Sequence, residues 1–192
     1  MSTPRFFGYG SLVNLATHDY PNARIARLSG WRRVWRHSTL RPLAFLSVER
    51  HEDAEIEGVV ADVPGADWEA LDERERAYLR RDVTHEVTND GERADTAVYE
   101  VAEGLLSPPD TAHPILLSYL ETVILGYLEL FGEDGVIRFC ETTTGWHAPV
   151  MNDREMPIYP RFQQPTSEQR SYIDSLLRDL DCRLIAAEAV GS

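Results

Sequence analysis

The first apolar cluster, residues 5–9 (Arg-Phe-Phe-Gly-Tyr), is short and is broken by Gly10-Ser11, which predicts a buried strand ending in a turn. Residues 24–37 alternate apolar and basic positions around Gly30. Ile25, Leu28, Trp31, Val34 and Trp35 stand among the arginines, which predicts one or two strands bent at Ser29-Gly30. Residues 43–48 and 56–63 read as further strands, with an acidic stretch at 49–55 between them. Pro64-Gly65 stops the second of these. Asp67 is a suitable N-cap, with Glu69 in the first turn, for a helix over 68–79. Two strand-like runs follow at 83–88 and 96–101, and Asn89-Asp90-Gly91 between them predicts a hairpin turn. Past Ser107-Pro108-Pro109 the pattern becomes helical at 114–131 and about 134–142. A long loop spans 143–165, and Thr166-Ser167-Glu168 caps a last helix reaching about 187. Strands fill the first half and helices the second. This predicts an α+β class, one domain over 1–192 with a helical C-terminal part from about 112, not repeated βαβ units.

Glu75 departs from this pattern. At about 100° per residue, Trp68, Leu71, Tyr78 and Leu79 share one face of the expected helix, and Glu75 projects into the middle of it. A carboxyl group there loses hydration unless it is paired, and burial raises its pKa toward the range useful for proton transfer. The same placement also suits a buried Glu satisfied by an arginine or by backbone amides. Gly8-Tyr9-Gly10-Ser11-Leu12 is a second candidate. Glycines there allow close backbone approach, so successive amides can converge on a carboxylate, although such a turn also occurs with no ligand at all.

Composition narrows the chemistry. The 192 residues carry 19 basic against 32 acidic side chains, a net charge of −13, which argues against nucleic acid and anionic membrane surfaces as partners. Every basic residue is arginine. Without lysine there is no pyridoxal phosphate Schiff base, no Walker-type phosphate loop and no kinase strand lysine. Cys140 and Cys182 are isolated, as expected of free thiols in a reducing compartment. No secretory leader or membrane-length apolar run is evident, so a cytoplasmic location is expected. The six histidines lack metal-site spacing. The arginines of 24–41 suit either a face paired with neighbouring acids or a guide for an anionic substrate. The 143–165 loop is long enough to cover a site, and within it Arg154 is a candidate partner for a substrate carboxylate.

Together, Phe6-Phe7-Gly8-Tyr9-Gly10-Ser11-Leu12 and, some sixty residues later, Leu71-Asp72-Glu73-Arg74-Glu75-Arg76-Ala77-Tyr78 resemble the gamma-glutamylcyclotransferase superfamily. The motif forms are closer to its glutathione-specific branch, and residues 118–132 are similar to a tyrosine-led helix late in the family. The resemblance implies a small barrel-like mixed sheet flanked by helices. It implies a cofactor-free, metal-free enzyme that cyclises a gamma-glutamyl peptide or amine to 5-oxoproline. Residue by residue it implies Glu75 as the catalytic group and Tyr9, Gly10, Ser11 and Leu12 as the substrate turn. Tyr78, three residues past Glu75 on the expected helix face, is a further candidate lining residue. Two other readings stand beside this one: a non-catalytic binding module on the same fold, and hydrolysis of a gamma-glutamyl amide by water. Substrate identity and oligomeric state are not encoded in any motif.

Overall fold

The computed structural model describes residues 3–76, 78–107 and 113–187. Its centre is β1 (Arg5–Gly8), every residue of which is buried. Successive side chains on a strand point to opposite faces. Phe7 therefore enters the large core against α2 (Leu117–Glu141), and Phe6 enters a smaller cluster with Leu12, Val63, Leu71 and Tyr99 on the opposite face.

β1 lies between β3 (Ala44–Asp62), antiparallel to it, and β6 (Thr96–Val101), parallel to it. β2 (Arg24–His37) and β3 form one long antiparallel ribbon. The acidic 49–55 stretch thus continues β3 and does not interrupt it. Its acids stand opposite the arginines of β2: Glu49 pairs with Arg32 and Arg36, and Glu55 with Arg27. The bend expected at Ser29-Gly30 coincides with a break in the register, where Gly30, at φ 80°, stands against residues 51–54, the extra residues belonging to β3. The sheet runs β4-β6-β1-β3-β2-β5, where β4 is Tyr78–Asp82 and β5 is Val87–Asn89. β8 (Thr143–Thr144) adds to β2. The sheet does not close into a barrel, since β4 and β5 stand at its two ends. The class is α+β, with helices α1 (Trp68–Arg74), α2 and α3 (Ser167–Asp179) flanking a mixed sheet.

Several expected elements are redrawn. The helix expected over 68–79 stops at Arg74, because the chain from Tyr78 pairs antiparallel with the edge of β6, from Tyr78–Val101 to Asp82–Ala97. Asn89-Asp90-Gly91 does turn, with the Gly91 amide donating to Asn89 Oδ1 at 2.8 Å, but its flanks do not pair. β5 joins β2 while β6 joins β1 and β4, so no hairpin forms. The expected helices at 114–131 and 134–142 are one helix, α2, kinked at Gly132 (φ 67°). The C-terminal part is not purely helical. β7 (Ile115–Leu116), β9 (Val150–Asn152) and β10 (Leu184–Ala186) make a small parallel sheet, and α3 ends well before 187. α3 begins at a capping box between Thr166 and Gln169. No helix among the described residues is long and apolar enough to cross a membrane.

Candidate functional site

The β1 strand runs straight into the turn predicted from its glycines. Residues Ser11–Val13 form one 3-10 turn, closed by Val13 N to Gly10 O at 2.9 Å and Asn14 N to Ser11 O at 3.1 Å. The amides at the start of such a turn have no acceptor within it. The turn is clamped from behind. Asn14 Nδ2 donates to the Thr122 carbonyl at 2.9 Å, Thr17 Oγ1 donates to Ser11 O at 2.9 Å, and His18 Nε2 lies 2.9 Å from Leu12 O. Close approach to α2 requires Gly126, where a Cβ would stand 2.6 Å from Asn14 N.

Below the turn lies Arg33, 1% exposed and the most deeply buried charge of the arginine-rich strand. Its guanidinium donates to Tyr9 O at 3.3 Å, Thr142 Oγ1 at 2.7 Å, Tyr127 Oη at 2.5 Å and the Glu57 carbonyl. It also faces the rings of Tyr127 and Phe139, each 5.1 Å away. Arg33 is thus a structural support for the turn, and the other arginines of the strand mostly pair with β3 acids.

In front of the turn is an open pocket lined by Phe7, residues 8–12, Leu46, Glu75, Tyr78, Tyr99 and Tyr119. Each residue proposed from the sequence, Tyr9, Gly10, Ser11, Leu12, Glu75 and Tyr78, borders this one space. The route by which Glu75 reaches it differs from the expected one. Glu75 caps α1, its amide donating to Leu71 O at 2.9 Å, and Tyr78 is the first residue of β4. The helix end and the strand start deliver the two side chains, not a shared helix face.

The Glu75 side chain is 17% exposed and, among the described residues, pairs with one cation, Arg74, whose Nε lies 3.2 Å from Oε1. Burial pushes the carboxyl pKa up, and Arg74 and, more weakly, Arg161 pull it back. Arg74 is itself 10% exposed, reaches the Thr17 carbonyl at 3.4 Å, and leaves Nη2 buried without an acceptor. Tyr9, Tyr78 and Tyr119 share the pocket with the carboxyl group. Tyr9 Oη donates to Tyr99 O at 2.6 Å, and Tyr78 Oη donates to Leu46 O at 2.9 Å. Tyr119, from α2, brings its hydroxyl against Gly10, where a Cβ would lie 2.6 Å from it. Burial first, then neighbouring acidic groups including Glu75, raises all three phenols well above their ordinary pKa, so they stay protonated donors at neutral pH.

Tyr119 and Leu46 carry no motif of their own, and the sequence signal for Tyr119 is only its place in the tyrosine-led helix. Arg154, taken from sequence as a candidate substrate partner, is committed elsewhere. It pairs with Glu121 at 2.6 Å and Asp174 at 2.7 Å and ties its loop to α2 and α3. Burial raises the thiol pKa of Cys140 to about 12 and of Cys182 to about 11, so neither is a ready nucleophile. Among the described residues no group of three or more His, Cys, Asp or Glu side chains converges as a metal site. A second depression, lined by Arg27, Arg33, Glu55, Glu57 and Arg138, has its cations already matched by Glu55 and Glu57 or by main-chain and hydroxyl oxygens.

The family model for gamma-glutamyl cyclotransferase, AIG2-like, matches residues 6–118, from β1 through the start of α2. The chain belongs to this family. A solved gamma-glutamyl cyclotransferase superposes with a TM-score of 0.58 at 16% identity, covering 91% of this chain and 99% of its own. An uncharacterized protein from Homo sapiens gives 0.57 at 17% identity, covering 88% and 97%. YkqA from Bacillus subtilis gives 0.55 at 17% identity, covering 76% of this chain and 57% of its own. At such identities these likenesses establish the gamma-glutamyl cyclotransferase fold. Curated proteins give no match.

Proposed function

We propose that this family member cyclises a gamma-glutamyl peptide or amine to 5-oxoproline and releases the amine, with Glu75 as the single acid–base group. The observation that carries the reading is one shielded carboxyl group, its pKa raised by burial, bordering the same pocket as a turn whose leading amides have no main-chain acceptor within it.

The substrate supplies its own nucleophile. Its α-amine attacks the γ-carbonyl carbon, a five-membered ring closes, and the bond to the leaving nitrogen breaks. Because the reacting groups are already in one molecule, little translational entropy has to be removed. What remains is proton handling. Glu75 takes a proton from the α-ammonium and returns one to the leaving nitrogen, which a carboxyl group with a raised pKa does near neutral pH. The amides of residues 10–12 receive the α-carboxylate and so hold the amine toward Glu75. Tyr119, protonated and against Gly10, is the candidate donor to the oxygen that gains charge as the ring closes. No step in this sequence calls for a metal or cofactor.

The test is incubation with a panel of gamma-glutamyl dipeptides, glutathione and gamma-glutamyl amines, with both 5-oxoproline and free glutamate measured. Formation of 5-oxoproline supports cyclisation. Free glutamate in its place would indicate the hydrolase, and no turnover on any member would indicate a binding module. The motif forms favour glutathione or a gamma-glutamyl dipeptide, in a cytoplasmic setting.

Arg74 sets the pH range of this chemistry. Its cation stabilises the Glu75 carboxylate. Arg74→Gln therefore raises the Glu75 pKa, and the base form is lost at a higher pH. The acid limb of the kcat/KM profile is expected to move upward in pH. A limb that stays in place, or moves down, would mean that this ion pair does not tune the active carboxyl group.

A further inference from the structure

The loop beyond β9 is not a loose cover. Asp153, 2% exposed, accepts from Ser118 N at 2.8 Å, Ser118 Oγ at 2.5 Å and Ile158 N at 2.9 Å. Further on, Tyr159 N donates to Ser118 Oγ at 3.2 Å, and Gln163 N donates to Thr122 Oγ1 at 3.1 Å. The segment 159–163 is therefore pinned at both ends to one turn of α2, and Tyr119 lies on that same turn. Between the pins, Phe162 N donates to Tyr159 O at 3.1 Å, closing a β-turn with Pro160 second and Arg161 third. The Tyr159 ring meets the Tyr119 ring edge-on, 5.1 Å between centres, so the turn abuts a wall of the pocket. Gln163 Nε2 donates to the Arg161 carbonyl at 3.3 Å and braces the tip.

At that tip the Arg161 side chain is exposed, and its guanidinium is in no ion pair among the described residues. Its positive charge is felt at Glu75, where it is weaker than that of Arg74, and at Tyr20. The backbone of the turn is thus held beside the Tyr119 wall of the pocket, and the cation it carries is free to pair, on a chain with a net charge of −13.

We propose that Arg161 is a specificity residue: it receives a carboxylate carried by the amine half of the substrate, selecting gamma-glutamyl amino acids and peptides over plain gamma-glutamyl amines. This rests on the cyclotransferase reading above. The substrate's own α-carboxylate goes to the N-terminal turn in every case. Arg161 distinguishes only what leaves. Arg154, the other loop arginine, cannot serve, since Glu121 and Asp174 hold it.

The experiment compares gamma-glutamylalanine with gamma-glutamylethylamide, which share the gamma-glutamyl half and differ in the leaving carboxylate. Wild-type protein, Arg161→Ala and Arg161→Lys are assayed for 5-oxoproline at several pH values, so that any shift in the Glu75 titration is separated from selectivity. The wild type is expected to prefer gamma-glutamylalanine. In Arg161→Ala its kcat/KM falls roughly tenfold, mostly through KM, while gamma-glutamylethylamide stays within about twofold, as for a charge-assisted contact at a solvent-exposed rim. Arg161→Lys keeps most of the preference, and added salt narrows it in the wild type and in Arg161→Lys but not in Arg161→Ala. Equal losses on both substrates, no loss on either, or no wild-type preference would overturn the role of Arg161 and leave cyclisation standing. Absence of 5-oxoproline from both substrates with wild-type protein would overturn the cyclotransferase reading, and this proposal with it.

Discussion

Glu75→Gln is expected to abolish 5-oxoproline formation while leaving the protein folded. The amide matches the carboxyl group in shape and keeps a hydrogen-bonding oxygen for Arg74, but it cannot accept the ammonium proton or return one to the leaving nitrogen. Loss of one acid–base group costs about 10²–10⁴ in rate, and here one side chain serves both transfers, so the upper end of that range is expected. Stability is expected to change in the opposite direction. Burial raises the folded-state pKa of Glu75 above its ordinary value. Between the two pKa values the folded chain keeps a proton that the unfolded chain has released, so stability falls as pH rises through that window. Gln removes this dependence. The variant's melting temperature should therefore equal or exceed the wild type's at pH 8, by a few degrees for each kcal/mol relieved, and the advantage should shrink toward pH 4. Calorimetry at both pH values, with the product assay, checks the pair. Near-wild-type turnover in a folded variant would remove Glu75 from the mechanism.

Arg33→Met carries the largest expected cost in stability. Arg33 joins the Tyr9 carbonyl at the end of β1, the Glu57 carbonyl in β3, Tyr127 in α2 and Thr142 at the α2 end. Met fills most of the volume but donates nothing. The deserted oxygens then lose a donor, at about 1–3 kcal/mol for each buried one that finds no substitute, water from the adjoining depression reaching the rest. Tyr127 Oη still donates toward Tyr9 O and Glu57 O, at 3.0 and 2.8 Å, which limits the damage. A net loss of about 2–4 kcal/mol is expected, or roughly 4–16 °C in melting temperature for a chain of this length. Arg32→Met, in the neighbouring register position, removes only a half-exposed pair with Glu49 and should cost about 1 kcal/mol or less. Similar losses for the two variants would contradict the distinction drawn between them.

Those two residues also show where sequence reasoning succeeds and where it stops. Glu75 is conspicuous because a charged residue interrupts an apolar pattern, and that anomaly is local. A helix to residue 79 suits the local propensities, but the chain from Tyr78 gains main-chain bonds by pairing with β6, and such pairing is invisible to any window around residue 75. Arg33 is one arginine among several in an alternating strand. Nothing in its neighbourhood distinguishes it from Arg32, because inward and outward faces are assigned only once α2 covers one side of the sheet.

What the sequence by itself determined is the set of local commitments: the β1 strand and its glycine turn, an α+β order of elements, the exclusion of lysine chemistry, and Glu75 with its motif. These depend on residue type and short spacing, so adjacent residues suffice to state them. The tertiary structure alone decided that β2 and β3 pair on both sides of the acidic stretch, that Arg154 anchors its loop, and that Tyr119 reaches Gly10 from more than a hundred residues away. Each of those outcomes depends on which distant groups supply a hydrogen-bond partner or exclude water, and the fold assigns those partners only when the whole chain has packed.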